Sequence, residues 1–251
     1  MITQSHISSS LIYFHDVFRS KWNLSAYTNP EAPALFVGFY NHTDISLFNN
    51  HKGFKLALFG GADMPNVGRL KGNFKIVVDQ FSYTHRLKKY YSGKIDKFIR
   101  VAWKDYSGFD PAPLGDKIYC YQNQMTEGNK AKYFYKELQR ITEYFGPSMV
   151  IIGYHGKPME YVKEQYYSNA FVNVQLNPMA GFTTSLEMAH MGRVSISNYQ
   201  APFCRGFSSI VDAIAYIRKV KNQPPDPKEV HQQAKDFVVS TNEWLKIDYW
   251  K

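Results

Sequence analysis

Residues 171–198 read FVNVQLNPMAGFTTSLEMAHMGRVSISN, and the punctuation of this stretch decides the fold. FVNVQL is a short apolar run of the kind that makes a buried strand, and Pro178 and Gly181 break it. Thr183 to Met191 has helical spacing with hydroxyls in its first turn, Gly192 stops it, and VSIS supplies the next strand. Strand, glycine turn, helix and strand form half of a parallel α/β crossover. Free N–H groups and the helix dipole at such a turn favour an anion such as phosphate. Glu187 lies a turn into the helix, where its carboxylate can accept hydrogen bonds from two vicinal hydroxyls such as those of a ribose.

The same alternation runs outward in both directions. ALFVGFYN (34–41), KLALFGG (55–61), FKIVVDQ (74–80) and FIRVAWK (98–104) read as strands on the N-terminal side, and SLIYFH (10–15) reads equally as strand or helix. HTDISLFNNH (42–51) is a short helix capped by Thr43 or Asp44, and FSYTHRLKKYY (81–91) has helical spacing. KDYSGFDPAPLG (104–115), rich in turn formers and poor in apolar residues, reads as a linker. A second series follows: the strand KIYCYQ (117–122), an amphipathic helix over 129–145 with Phe134, Leu138, Ile141 and Phe145 on one side, and the strand MVIIGY (149–154). Next come a helix over 159–170, the opening unit, and a helix around 208–220. QPPDPKE (223–229) breaks the chain again before a mostly helical tail. Strands alternating with helices imply parallel sheets. The expected division is an N-terminal Rossmann-like domain over 1–108, a second over 109–223, and a helical tail over 224–251 packing on the first.

Composition narrows the class. The 251 residues are 44% hydrophobic and 20% charged, which excludes a disordered chain. The net charge of +9, from 30 basic and 21 acidic residues, favours anionic partners: nucleotide-sugars, nucleic acid, acidic glycans or an anionic membrane surface. Much of it is scattered, but RLKKYYSGKIDK (86–97) is a local basic patch with interleaved aromatics. The 19 Tyr and 18 Phe suit core packing and also stacking on flat ligands. Cys120 and Cys204 are too few for a disulfide framework, so a reducing, cytoplasmic setting is expected. The N-terminus lacks a secretory pattern and no stretch approaches 18 apolar residues. Neither a GxGxxG fingerprint nor a metal-ligand spacing is present.

Over roughly 117–219, and more loosely over the rest, the chain resembles GT-B glycosyltransferases, in particular the retaining family that includes sucrose and glycogen synthase-like enzymes. The residues that carry the resemblance are MVIIGY, SNAFVNVQLNP and GFTTSLEMAHMG before VSISN. In that family a glutamate followed by alanine sits on a helix ending in glycine; here Glu187 and Gly192 keep the pattern and Met188 replaces the alanine. A second glutamate that contacts the donor sugar falls on Met179.

The resemblance implies an α/β fold of two Rossmann-like domains facing a cleft, with a C-terminal helix crossing back to the first. It implies a metal-independent, cofactor-free transfer of a hexosyl or deoxyhexosyl group from a nucleotide-diphosphate sugar to an acceptor hydroxyl on a glycan, lipid-linked or protein-linked acceptor. Glu187 would then hold the ribose. Gly181, Phe182, Thr183 and Thr184 would offer backbone N–H and hydroxyl groups to the diphosphate, with Lys130, Lys132 and His155 as the candidate basic groups. If the reaction inverts, a general base should come from the first domain, with Asp44, Asp63 and His42 as candidates because they follow apolar strands. The rival readings are a non-catalytic basic module binding nucleic acid or an anionic glycan, a DNA-base glycosyltransferase, and an epimerase on the same fold.

Overall fold

A computed structural model of the chain describes residues 1–14, 17–59, 63–79, 90, 92, 97–99, 105–122, 135–154, 157–176, 183–198, 203–237 and 243–251. The chain forms two compact units: Met1–Asp105 with Val238–Lys251, and Tyr106–Phe237.

The first unit holds a parallel sheet in the order β2-β1-β3-β4-β5-β6. Its strands are β1 (Gln4–Ile7), β2 (Ser25–Ala26), β3 (Ala34–Val37), β4 (Lys55–Leu58), β5 (Lys75–Asp79) and β6 (Lys97–Ile99). All four residues of β3 and of β4 are buried, as continuous apolar strands in a parallel sheet must be. β1 pairs with β3 from Gln4↔Ala34 to Ile7↔Val37. Its sequence, QSHI, has no apolar run, and a 3-10 helix (Ser9–Phe14) follows where SLIYFH left strand and helix open.

Helix α1 (His42–Asn50) is capped not by Thr43 or Asp44 but by Asn41. The Asn41 side chain accepts from the Asp44 N–H at 2.9 Å, while Asp44 Oδ2 accepts from the Asn41 N–H at 3.1 Å, a reciprocal capping box. Lys55 closes the other end of the helix, donating through Nζ to the carbonyls of Phe48 (2.9 Å) and His51 (3.3 Å), with its ammonium 4.4 Å from the Phe48 ring centroid. Burial lowers the pKa of this lysine. The C-terminal turns Glu243–Leu245 and Ile247–Trp250 belong to this unit; Leu245 accepts from the Ile2 N–H at 2.8 Å, and Trp244 lies edge-on to Trp22.

The second unit holds a parallel sheet in the order β11-β10-β9-β7-β8, built from β7 (Lys117–Gln122), β8 (Val150–Tyr154), β9 (Ala170–Gln175), β10 (Val194–Ser197) and β11 (Cys204–Gly206). Its helices are α2 (Tyr135–Phe145), α3 (Thr183–His190), α4 (Ile210–Asn222) and α5 (Pro227–Phe237), with a helical turn Met159–Tyr161 continuing as the π-helical Val162–Tyr167. On one face Ile118, Cys120, Val172 and Val174 pack with Leu138 and Ile141 of α2 and Ala213, Ile217 and Val220 of α4. Val230 and Ala234 of α5 pack on Ala189 of α3. Residues 227–237 therefore lie in this unit, and the return to the first begins at Val238.

Candidate functional site

The face of the second sheet turned to α3 is polar. Asn173 Nδ2 donates to Ser195 Oγ at 2.9 Å, and Ser185 of α3 lies 3.0 Å from Cys204 Sγ. Burial pushes the Cys204 thiol up to about 11, against a smaller opposing effect of the Ser185 and Ser195 hydroxyls. By strand alternation Gln175 and Ser197, paired across β9 and β10, share this face. Both are buried, and neither amide atom of Gln175 has a hydrogen-bond partner among the described residues. The Asn173 side-chain carbonyl oxygen is likewise unpaired among them. Unpaired buried amide groups cost free energy that a bound molecule with matching donors and acceptors would recover.

Glu187 sits on α3 above this layer, only 4% exposed. Tyr167 donates its phenolic hydrogen to Glu187 Oε2, and the Thr184 hydroxyl bonds to the same phenol. Burial first, and the Glu187 charge second, raise the Tyr167 phenol well above its ordinary value, and Tyr119 is raised for the same two reasons. Both tyrosines therefore stay protonated around the carboxylate. Of the other residues expected on this side, Thr183 and Thr184 open α3 and are half-buried. Gly181, Phe182, Lys130, Lys132 and His155 lie outside the described residues.

α3 ends in a Schellman turn: the Gly192 N–H bonds to Ala189 O at 2.9 Å and the Arg193 N–H to Met188 O at 2.8 Å. Gly192 has φ +88, and a Cβ there would stand 2.5 Å from Pro227 Cβ, so position 192 requires glycine twice over. Arg193 is fully buried and donates to the carbonyls of Tyr167 (3.1 Å), Ala170 (3.2 Å), Ala112 (2.9 Å), Pro113 (2.6 Å), Ser168 (3.3 Å) and Met191. Desolvation brings its pKa down to about 10. One side chain thus ties the segment entering β7, the segment bearing Tyr167 and the end of α3 together.

In the first unit, the turn from β3 to α1 gathers polar groups at the C-terminal ends of β1 and β3, where α/β folds collect ligands. Asp44, 2% exposed, accepts at Oδ2 from Ser8 Oγ (2.7 Å) and from the N–H groups of Tyr40 (3.0 Å) and Asn41 (3.1 Å). Its Oδ1 lies 2.8 Å from His6 Nε2. Asp63 is also buried and accepts from the Phe39 N–H at 2.8 Å. Gly38 makes the turn with φ +80, where a Cβ would stand 2.7 Å from Leu11. His42, the first residue of α1, is exposed. The two aspartates thus converge on the same turn, and His6 joins them from a strand with no apolar signature. The sequence signal for His6 is faint: a histidine in a polar tetrapeptide.

No protein-family model and no curated protein sequence matches the chain. Solved structures do. TarM aligns at a TM-score of 0.56 with 10% identity, over 96% of this chain and 56% of that one. The chain has a GT-B glycosyltransferase fold. Accessory secretory protein 1, 2 and 3 of Streptococcus pneumoniae aligns at 0.53 with 11% identity over 96% of this chain and 56% of that one. A TarM point mutant from S. aureus, in complex with fondaparinux, α-GlcNAc-glycerol and UDP, aligns at 0.53 with 9% identity over 84% and 53%. The chain spans about half the length of these structures. Among the described residues, no helix is long and apolar enough to cross a membrane, and no group of three or more His, Cys, Asp and Glu is placed to hold a metal ion.

Proposed function

We propose that the protein is a glycosyltransferase whose second unit binds a nucleotide-diphosphate sugar and whose first unit presents the acceptor hydroxyl. The observation that carries this reading is the buried Gln175 carboxamide, unpaired at both atoms among the described residues, at the end of β9 on the face covered by α3. A donor bound there would meet Gln175 beside the hydroxyl-rich start of α3 and Glu187, whose orientation Tyr167 fixes. Glu187 takes the ribose hydroxyls, and Thr183 and Thr184, with Gly181 and Phe182, take the diphosphate. Lys130, Lys132 or His155 supplies positive charge to the leaving diphosphate, so the transfer needs no metal. The TarM structure that holds UDP has this fold, which supports a uridine nucleotide as the first ligand to test.

Differential scanning fluorimetry with UDP, GDP and dTDP tests the reading. A nucleotide at about 100 times its Kd should add roughly 2.7 kcal/mol, a rise of about 5–10 °C for a chain of this size. Gln175→Met should leave the free protein as stable or more so, because it removes an unsatisfied buried amide, yet should abolish or sharply reduce the shift. Glu187→Gln should reduce it as well. A wild-type protein that none of the nucleotides shifts, or a full shift in both variants, would overturn the donor site.

A further inference from the structure

Glu187 is a carboxylate with one oxygen already committed inside the second unit. Tyr167 donates its phenolic hydrogen to Oε2, and the Thr184 hydroxyl bonds in turn to that phenol. A hydrogen bond to a charged acceptor is among the strong ones, so a ligand hydroxyl does not displace it at small cost. The phenol also has nowhere to go. Tyr167 is buried, and its ring stands edge-on to the buried Tyr119 with the centroids 5.1 Å apart. Its backbone is held on both sides: the Tyr167 carbonyl accepts from Arg193 Nε at 3.1 Å, and the π-helical turn that carries it closes with the Ser168 N–H on the Lys163 carbonyl at 2.9 Å. Burial keeps the phenol protonated, so its hydrogen is present for Glu187 throughout the neutral range.

We propose that Tyr167 sets the pentose specificity of the donor site: by holding Glu187 Oε2 it limits the carboxylate to one ligand hydroxyl, so the site takes 2′-deoxyribonucleoside diphosphate donors as readily as ribonucleoside ones. This rests on the donor-site reading above and narrows it at Glu187. A carboxylate reads two vicinal hydroxyls best when each of its oxygens accepts one. With Oε2 taken, at most Oε1 is left for a ligand. A ribose brings two hydroxyls to that single acceptor, and the second stays in water or enters the site unserved. A 2′-deoxyribose brings only its 3′-hydroxyl, which the single acceptor satisfies. Either sugar thus makes one bond to Glu187, and the 2′-hydroxyl adds nothing to affinity. Tyr167 acts through the carboxylate as a positioning residue and does not itself meet the pentose.

Isothermal titration calorimetry of the full chain with UDP and with 2′-deoxyuridine diphosphate tests this, because the two ligands differ by a single oxygen. Their Kd values should agree within about threefold, whereas a site that pairs both hydroxyls would hold UDP about tenfold tighter or more. Glu187→Gln should weaken both ligands by the same factor, since each gives that side chain one bond. Tyr167→Phe keeps the ring and frees Oε2 for a second ligand hydroxyl, so it should shift the preference toward UDP by about tenfold. A tyrosine that only packs would change the two affinities together. Three results would each overturn the assignment and leave the donor site standing: a wild-type chain that binds UDP more than about threefold tighter, a larger loss for UDP than for the deoxy ligand in Glu187→Gln, or a Tyr167→Phe protein that binds nucleotide with unchanged preference. The first two decide the matter even if the phenylalanine variant does not fold. A wild-type chain that binds neither nucleotide would overturn the donor site as well.

Discussion

Replacing Arg193 by methionine should destabilise the second unit by about 4 kcal/mol, and the reason lies in what the guanidinium bonds to. Apolar isosteres of buried ion pairs are often harmless because both charged partners are removed together. Here the partners are backbone carbonyls of Ala112, Pro113, Tyr167, Ser168, Ala170 and Met191, which no side-chain change can remove. If only half of them stay without a donor, at roughly 1–2 kcal/mol each, the loss is about 4 kcal/mol. That corresponds to a fall in melting temperature of roughly 8–16 °C in a protein of this size. Arg193→Lys, which keeps charge but offers three donors in place of a planar fork, should lose about half as much. Urea titration followed by circular dichroism, with thermal melts in parallel, measures both. Since Arg193 bonds the carbonyl of Tyr167, and Tyr167 holds Glu187, the nucleotide-induced shift should weaken along with stability. An Arg193→Met protein melting within about 3 °C of wild type would refute the argument that these carbonyls depend on it.

Two further outcomes can be checked with the same instruments. Gly192→Ala must place a side chain at φ +88 with its Cβ 2.5 Å from Pro227, so it should cost more than about 2 kcal/mol; an alanine variant as stable as wild type would mean that α3 and α5 can separate freely. Burial, reinforced by the nearby Lys55 charge, lowers the His51 pKa from 6.5, so the unfolded chain takes up a proton before the folded one does. Stability should then be full above the unfolded value near 6.5 and fall as pH drops below it, and His51→Gln should flatten that slope; an unchanged slope in the variant would assign the acid sensitivity elsewhere.

How far the sequence discloses this molecule depends on how each residue earns its place. β3, β4, β7 and β9 are visible because a strand covered on both faces must be apolar along its length or, as FVNVQL shows, alternate two kinds of burial. The helix Thr183–His190 and its glycine stop are visible because caps and breakers act locally. β1 is not, because QSHI spends its side chains on contacts far along the chain: Gln4 bonds to the carbonyls of Asn29 and Ala32, and His6 meets Asp44. The Asn41 cap was masked by two equally good capping residues beside it. In the candidate site Glu187 stood out through its helix, but Tyr167, which orients it, sits twenty residues away on a π-helical turn that no periodicity marks. Arg193 looked like an ordinary residue after a glycine, since nothing local distinguishes a solvated arginine from one that gathers carbonyls across eighty residues of chain.

The two faces of the second sheet divide labour in a way that matters for anyone altering the protein. One face meets α2 and α4 through Val172, Val174, Leu138 and Ile217, where volume is the only currency of fit. The other meets α3 through amides, hydroxyls and a thiol. Apolar packing and the proposed donor contacts thus fall on residues that alternate along the same strand. Random mutagenesis of β9 should sort by parity: changes at even positions from Val172 to Leu176 lower yield of folded protein, while changes at Asn173 and Gln175 leave yield intact and alter what binds. A library confined to the odd positions would search ligand preference without spending the molecule's reserve of stability.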